Sequence, residues 1–352
     1  EIAGNGVDDD ANGFVDDIRG ADFYYNDSDP ADENGHGTHT AGTIGAAGNN
    51  FLGVAGVNWT VKIMAIKIYD SDGYGTTSAM LVNAYSYVKM MKDRGINIRV
   101  TNNSYGGCDE ACGYDQATKD GIDALGNAGI LNVFAAGNDS RNTDTLPAYP
   151  ASYSSPSIMS VANSNSSDGR ASSSNVGIVT VDLAAPGTVI LSTTYFGNST
   201  YGPLSGTSMA TPHVAGAAAL LSAYNPALSV PSLKATLMNN VDVLPTWATL
   251  VKTGGRLNVD RALRNQTVCN FTVGGGSMTV PTKGGYFTVN VTPGTNCDYT
   301  VKSNSPWIKV TSGTELSGNG SVTFHVRLNP SISRTGSISI GGQALTIVQK
   351  RN

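Results

Sequence analysis

Ser208 is the residue whose setting most strongly indicates chemistry. It lies in the stretch 206–216, which reads Gly-Thr-Ser-Met-Ala-Thr-Pro-His-Val-Ala-Gly, and small and apolar residues continue to Leu221 at helical density. Pro212 is early enough in this run to be a first-turn proline, where its missing N–H costs little. The pattern therefore predicts Ser208 at a helix N-terminus, beside outward N–H groups and the positive end of the helix dipole. That position suits a nucleophile whose substrate develops an oxyanion, whereas a lone serine in an Ala/Gly-rich run is more often a core residue.

Three further motifs precede Ser208 in the chain. The stretch 34–42 reads Asn-Gly-His-Gly-Thr-His-Thr-Ala-Gly, 103–107 reads Asn-Ser-Tyr-Gly-Gly, and 135–138 reads Ala-Ala-Gly-Asn. With the serine stretch, and in this order, they resemble the histidine, substrate-binding, oxyanion and serine motifs of the subtilisin-like serine proteases. The resemblance runs from about Gly4 to about Leu263.

The resemblance implies a role for each motif residue. Ser208 is the implied nucleophile, His36 the general base, and Asn138 the side-chain donor to the oxyanion beside the Ser208 N–H. Ser104, Tyr105 and Gly106 are the implied segment that pairs with a peptide substrate as an added strand. Without the serine motif, a lone histidine is more often structural, and an asparagine after glycine more often belongs to a turn.

One family motif is absent from this sequence. In the relatives, a catalytic aspartate ends a buried first strand in an apolar-Asp-Thr/Ser-Gly context, and nothing before His36 fits that context. Asp32 is the acidic residue nearest to His36 in sequence, but the family pattern does not assign it the role. We therefore expect the aspartate from an N-terminal segment that is not in this chain, whether cleaved and still bound or lost.

Two loops are candidates for structural calcium. In residues 1–20, oxygen-bearing side chains alternate before a glycine turn, which is how a loop wraps a hard cation, and carboxylates crowded so closely repel unless a cation neutralises them. The alternative is a solvated acidic loop. The candidate ligands of this first loop are Asp8, Asp10, Asn12, Phe14, Asp16 and Asp17. The stretch 48–54 resembles a calcium loop of the family, and by position it implies ligands at Asn50, Leu52 and Val54.

Composition and charge exclude several classes of protein. The chain has 352 residues, 22 basic and 27 acidic, with a net charge of −5 and no basic block. This pattern argues against a nucleic-acid partner and against a polybasic membrane patch. No apolar run reaches the roughly 18 residues of a membrane-spanning helix.

The four cysteines indicate an oxidising compartment. Cys108 and Cys112 share one loop, Cys269 and Cys297 share one β-rich segment, and neither pair has partners at zinc spacing. Two disulfides, Cys108–Cys112 and Cys269–Cys297, are therefore expected. With few charged residues and many Ser, Asn and Thr, the sequence predicts an extracellular, secreted protein.

The alternation of strands and helices predicts an α/β domain. We expect residues 1–264 to form a subtilisin-like, mostly parallel sheet with helices on both faces. Short alternating runs separated by Gly, Asn and Pro turns then predict a C-terminal all-β, immunoglobulin-like sandwich over residues 265–352. The ending of the chain resembles the BACON family of bacterial β-sandwich modules, which implies a carbohydrate or glycoprotein ligand; a spacer is the alternative.

Two functions follow from this reading. The first is a secreted serine endopeptidase that cleaves protein or peptide substrates through an acyl-enzyme, with its own N-terminal segment or propeptide as a further partner. The second is an inactive or cleaved protease remnant that binds carbohydrate or a surface through its C-terminal sandwich. Intact Ser208, His36 and Asn138 favour the first function, and the missing aspartate favours the second.

Overall fold

A computed structural model of the chain describes residues 2–106, 113–265, 272–274, 276–292, 298–329 and 332–350. All four cysteines, and therefore both predicted disulfides, lie outside these ranges. The chain forms two compact units, the first from residues 1–220 and 233–264 and the second from 221–232 and 265–352. That the protease domain ends at residue 264, with residues 265–352 as a separate domain, remains a proposal. No helix in the described part of the chain is long and apolar enough to span a bilayer.

The described residues of 2–265 form six α-helices and ten strands, with the end of α4 and the start of α5 belonging to the second unit. The strands are β1 (Gly20–Asp22), β2 (Ala65–Lys67), β3 (Val100–Asn103), β4 (Leu131–Ala135), β5 (Ile158–Ser164), β6 (Leu183–Pro186), β7 (Ile190–Thr193), β8 (Tyr201–Leu204), β9 (Asp242–Val243) and β10 (Gly255–Arg256). The helices are α1 (His36–Gly45), α2 (Ser78–Asp93), α3 (Gln116–Asn127), α4 (Thr207–Tyr224), α5 (Val230–Asn239) and α6 (Val259–Arg264).

The central sheet has six strands in the order β3-β4-β5-β6-β10-β9. Its neighbours pair in parallel from β3 to β10, and only β9 runs antiparallel. Every residue of β4 and β5 is buried, as expected when helices cover both faces of a parallel sheet. The parallel strands direct their carboxyl ends to one edge, where α/β proteins build their sites.

Local sequence explains where two of the covering helices begin. Before α2, the Thr77 hydroxyl accepts a hydrogen bond from the Met80 N–H. Before α3, the Asp115 carboxylate accepts one from the Thr118 N–H at 2.8 Å. Each cap satisfies an N–H group that has no partner within its helix.

Strand β2 belongs to a different sheet from β3, although α2 is the only element between them in chain order. Among the described residues it pairs with β1 alone, in a parallel two-stranded sheet. Ile66 in β2 and Ile98 just before β3 nevertheless pack on one apolar cluster, which includes Leu81 and Tyr85 of α2. All three residues of β2 and the first three of β3 are only half-buried, unlike the interior strands. Both strands therefore present an unpaired edge around a shared core.

Beyond residue 264, the regular elements of the second unit are all strands within the residues described. Its strands are β11 (Thr272–Val273), β12 (Ser277–Val280), β13 (Gly285–Thr292), β14 (Asp298–Ser303), β15 (Ile308–Val310), β16 (Glu315–Ser317), β17 (Gly320–Val326), β18 (Arg334–Ile340) and β19 (Gln343–Gln349). They form two sheets, in the orders β11-β13-β17-β15 and β12-β19-β18-β14-β16, around one core that includes Phe324, Ile338 and Leu345. Trp307 is half-buried at the margin of this core beneath the Arg334 guanidinium, which lies 4.2 Å from the ring centroid.

Candidate active site

Ser208 is the second residue of α4, so it lies at a helix N-terminus as the sequence predicts. The Met209 and Ala210 N–H groups both donate to the Gly206 carbonyl, at 3.0 and 3.3 Å. The Ser208 N–H has no acceptor among the described residues and is one of the free donors of the first turn. The expected first-turn position of Pro212 is wrong, because α4 begins early enough to place this proline inside the helix.

The Asn138 side chain is hydrogen-bonded to Thr207, the residue before the candidate nucleophile. Its Oδ1 accepts hydrogen bonds from the Thr207 N–H at 2.9 Å and from the Thr207 hydroxyl at 3.2 Å. With Oδ1 engaged in this way, the Nδ2 amide of the exposed Asn138 side chain is left to donate elsewhere. A Cβ on Gly206 would lie 3.5 Å from Nδ2, so the glycine leaves room beside the amide. The structure thus brings Asn138 and the start of α4 together.

The loop that carries Asn138 is held by Asn175, a residue that the sequence does not single out. Asn175 is fully buried, its Oδ1 accepts from the N–H groups of Asp139 and Arg141, and its Nδ2 donates to the Ala136 carbonyl. Gly137, at φ 100°, lies so close that a Cβ there would be 2.4 Å from this amide nitrogen. Asn175 follows a plain run of serines, so no local signal reveals it.

His36 is the first residue of α1 and is half-buried. Burial lowers the pKa of its imidazole below the ordinary value of 6.5; the Asp32 charge opposes this shift and the His39 charge adds to it. A neutral ring at physiological pH is the form that accepts a proton. Among the described residues, no hydrogen bond joins the His36 ring to Ser208.

Side-chain hydrogen bonds nevertheless tie α1 to the hairpin that precedes α4, and the chain after α1 to α4 itself. The buried His39 ring binds the Ile190 and Gly202 carbonyls through Nε2, at 2.9 and 3.1 Å, and so ties α1 to the β7–β8 hairpin. That hairpin ends four residues before Ser208. On the far side, Asn58 donates from Nδ2 to the Gly216 carbonyl of α4 at 2.8 Å. His39 is therefore a structural neighbour of the site.

Asp32 is not a partner of the His36 ring. Its Oδ1 accepts from the Asn34 and Gly35 N–H groups, and its Oδ2 accepts from the Thr38 N–H and hydroxyl at 2.7 and 2.6 Å. Burial raises the pKa of this carboxyl, but these hydrogen bonds outweigh it and the net pKa is lowered. Asp32 thus stabilises the first turn of α1, as a carboxylate at a helix N-terminus does.

The segment from Ser104 to Gly106 follows β3 at the open edge of the six-stranded sheet. The Tyr105 hydroxyl binds the Tyr85 hydroxyl, and burial raises the pKa of both phenols well above the ordinary value. The Tyr105 side chain therefore points to the core. Gly106 is exposed at φ 154°, where a side chain is disfavoured and a peptide backbone can approach.

The candidate calcium ligands form no group of three or more metal-binding side chains within the described residues. Asp8 accepts from the Asn12 and Gly13 N–H groups, and Asp16 accepts from the backbone of residues 5 and 6. Asp10 pairs with Arg94 at 3.1 Å, and Phe14 packs against aromatic side chains. Asp17 is different: it is 4% exposed, and its Oδ1 is buried without a hydrogen-bond partner. An orphaned carboxylate oxygen of this kind fits a cation.

The second candidate loop encloses a shallow concave surface. Asn50, Leu52 and Val54 all line it. However, the Asn50 Oδ1 accepts a hydrogen bond from the Leu52 N–H at 3.0 Å, so this oxygen is turned to the chain's own backbone.

Residues 2–276 match the Subtilase family. The chain belongs to the subtilase family. It is 39% identical to thermitase of Thermoactinomyces vulgaris over 247 residues, which cover 70% of this chain and 81% of that protein. It is 40% identical to subtilisin DY of Bacillus licheniformis over 218 residues, 62% of this chain and 74% of that protein. A solved structure of a cold adapted subtilisin-like serine proteinase matches with a TM-score of 0.55 and 33% identity, covering 68% of this chain and 80% of that chain.

These matches confirm two of the sequence predictions. This subtilase is a subtilisin-like serine peptidase, and its first unit has the predicted α/β fold. The strand-rich second unit agrees with the predicted sandwich.

Proposed function

We propose that this subtilase is a serine endopeptidase in which Ser208 is the nucleophile, His36 the general base, and Asn138 an oxyanion donor. The observation that carries the proposal is the fixed amide of Asn138 beside the N-terminus of α4. Its acceptor atom is bound by Thr207, so its donor and the Ser208 N–H remain for a developing negative charge. Preorganised donors of this kind stabilise an oxyanion without reorganisation during the reaction.

The proposed steps follow from these positions. Ser208 Oγ bonds to the substrate carbonyl carbon while its proton passes to the neutral His36 ring, and the carbonyl oxygen becomes an oxyanion. The tetrahedral species collapses, the C–N bond breaks, and His36 returns the proton to the leaving amine. Water then attacks the acyl-enzyme by the same route and releases the acid. The backbone after β3 holds the acyl side of the peptide as an added strand.

The orienting aspartate is proposed to arrive on a strand that enters between β2 and β3. Both strands have an open edge, both pack on the core beneath α2, and both are less buried than interior strands. A parallel strand placed there would end at the same sheet edge as Ser104. The Ser104 hydroxyl donates a hydrogen bond to the Ser208 carbonyl. A peptide with an apolar-Asp-Thr/Ser-Gly ending, added in trans, is therefore expected to raise turnover by up to about 10⁴. The same peptide with Asn in place of Asp is the matched control, and equal turnover with both peptides would exclude this placement.

Calcium is proposed as a structural ion of the first loop, with Asp17 as its central ligand because of the orphaned Oδ1. Asp8, Asp10, Asn12, Phe14 and Asp16 are the other proposed ligands, although several of their oxygens already accept backbone N–H groups. Asn50, Leu52 and Val54 are proposed for a second ion on the concave face that they line. Secretion, the two disulfides, and a propeptide or N-terminal segment as partner remain proposals from composition and resemblance.

The sandwich supports a second candidate function, saccharide binding by a BACON-like module. Tyr286 is 74% exposed on β13, and its ring lies 4.8 Å from that of His325 on the neighbouring strand β17. An exposed ring beside polar groups is a surface on which a sugar ring can stack. Binding to a panel of saccharides that is lost in Tyr286→Ala, but kept in the exposed control Ile332→Ala, would support this function.

The experiment that tests the endopeptidase is labelling with a fluorophosphonate, followed by peptide mapping. We expect one labelled peptide, carrying Ser208, and no label in Ser208→Ala. Ser86→Ala is the matched control, since Ser86 is an exposed serine on α2 that only donates to the Val82 carbonyl. Labelling that persists in Ser208→Ala would refute the assignment.

A further inference from the structure

The candidate nucleophile has a backbone carbonyl that its own helix cannot satisfy. In an α-helix the N–H of each residue donates to the carbonyl four positions earlier, and the residue four positions after Ser208 is Pro212. Proline has no N–H, so the Ser208 carbonyl loses its helical donor. The defect falls on the residue whose side chain is proposed to react.

Ser104 supplies the missing donor from another part of the fold. Its hydroxyl donates to the Ser208 carbonyl at 2.8 Å, although the two residues are 104 positions apart in sequence. Asn102, on β3, donates from Nδ2 to the same hydroxyl oxygen at 3.0 Å. Because the Ser104 oxygen accepts from Asn102, its single proton is directed to Ser208.

A second contact runs in the opposite direction. The Ser208 hydroxyl donates to the Ser104 carbonyl at 3.3 Å. Residue 208 is therefore held to the end of β3 through both its backbone and its side chain. The long side-chain contact is the one that substrate attack must break, whereas the short backbone contact can persist through the reaction.

We propose that Ser104 is a positioning residue: its hydroxyl replaces the hydrogen bond that Pro212 cannot make and thereby fixes the first turn of α4 for reaction. This inference rests on the proposed nucleophilic role of Ser208. Without the Ser104 hydroxyl, the Ser208 carbonyl has no donor, and the turn is free to shift its side chain away from His36 and the oxyanion donors. Misplacement of a reacting group by about 1 Å can cost about 10²-fold in rate.

The test is a double-mutant cycle on the phosphonylation rate of Ser208. A small fluorophosphonate carries no peptide, so it reports the reactivity of Ser208 and not strand pairing with a substrate. Ser104→Ala is expected to slow labelling about fivefold to tenfold, the range that one lost hydrogen bond gives. In Pro212→Ala, the new N–H can serve the Ser208 carbonyl, so adding Ser104→Ala should slow labelling by no more than about twofold.

Thr211→Val is the matched control. The Thr211 hydroxyl donates to the Thr207 carbonyl at 2.8 Å in the same turn, and the Thr211 N–H already serves that carbonyl at helical spacing. This variant should label at the wild-type rate to within about twofold. Melting temperatures of all variants separate a loss of reactivity from a loss of folded protein.

Two results would overturn the proposal. If Ser104→Ala slows labelling equally with Pro212 and with Ala at position 212, the hydroxyl does not replace the proline's donor. If wild-type protein labels at Ser208 and Ser104→Ala labels just as fast, Ser104 does not position it, while the proposed nucleophile stands. No label on wild-type protein would instead remove the nucleophile, and this inference with it.

Discussion

Asn138 allows catalysis and stability to be separated at one side chain. Its Oδ1 satisfies the Thr207 N–H at the start of α4, while its Nδ2 is the proposed oxyanion donor. Asn138→Asp keeps the acceptor and removes the donor. Asn138→Ala removes both. The two variants should therefore lose activity together and differ in stability.

The expected magnitudes follow from these two contacts. Loss of one oxyanion donor lowers kcat by about 10²–10³, or about 2.7–4 kcal/mol, as measured in a subtilisin. The Asn138→Asp variant should lose at least this much in kcat, because the carboxylate charge also repels the oxyanion. Removing the acceptor of a first-turn N–H costs about 1 kcal/mol, as at helix caps, so the melting temperature of Asn138→Ala should fall by about 2–4 °C. That of Asn138→Asp should not fall, since a carboxylate is favourable at a helix N-terminus.

The assay is peptide hydrolysis at saturating substrate, with fluorophosphonate labelling where turnover is slow, and a thermal melt of each variant. Asn142→Asp makes the same substitution at an exposed site whose Oδ1 accepts from the Asp144 N–H, and it should change neither quantity. If Asn138→Asp keeps its rate to within about threefold, Asn138 is not an oxyanion donor. If both variants melt together below wild type, Oδ1 does not support α4.

Four further outcomes are expected. Since burial lowers the pKa of His36, the labelling rate of this chain should fall with acid about a midpoint below 6.5, and a midpoint above 6.5 would contradict the burial argument. Burial lowers the folded-state pKa values of both His36 and His213. The stability that the two neutral rings contribute is therefore complete above about pH 6.5 and is lost as the pH falls through the folded-state pKa values. Thermal melts across this pH range measure that loss. Chelation of calcium should lower the melting temperature of the wild type more than that of Asp17→Asn, and equal effects on both would exclude Asp17 as a ligand. Gly137→Ala should lower the melting temperature by several degrees because of its positive φ and the nearby Asn175 amide, whereas Gly113→Ala, with nothing within 4 Å, should melt like the wild type.

Much of this site could be predicted from the sequence, because its signals are local. A turn of small residues before a helical run places Ser208 at the start of α4, and His36 likewise opens α1. Side-chain caps at Thr77 and Asp115 mark the starts of α2 and α3. Each of these signals depends on residues only a few positions apart, where chain connectivity itself brings the groups together.

Tertiary structure alone decided how these elements are held to one another. The His39 ring is hydrogen-bonded to two carbonyls that lie 151 and 163 positions away in sequence. The Asn175 amide oxygen accepts from the Asp139 N–H, which is 36 positions away. The first-turn prediction for Pro212 failed because α4 begins at Thr207, five residues before the proline, and that prediction therefore missed that the Ser208 carbonyl lacks a helical donor. The residue that supplies this donor, Ser104, is a serine in a motif assigned to substrate binding. Hydrogen bonds between distant segments depend on how strands and helices pack, and an unsatisfied carbonyl can accept from any donor that packing brings within 3 Å.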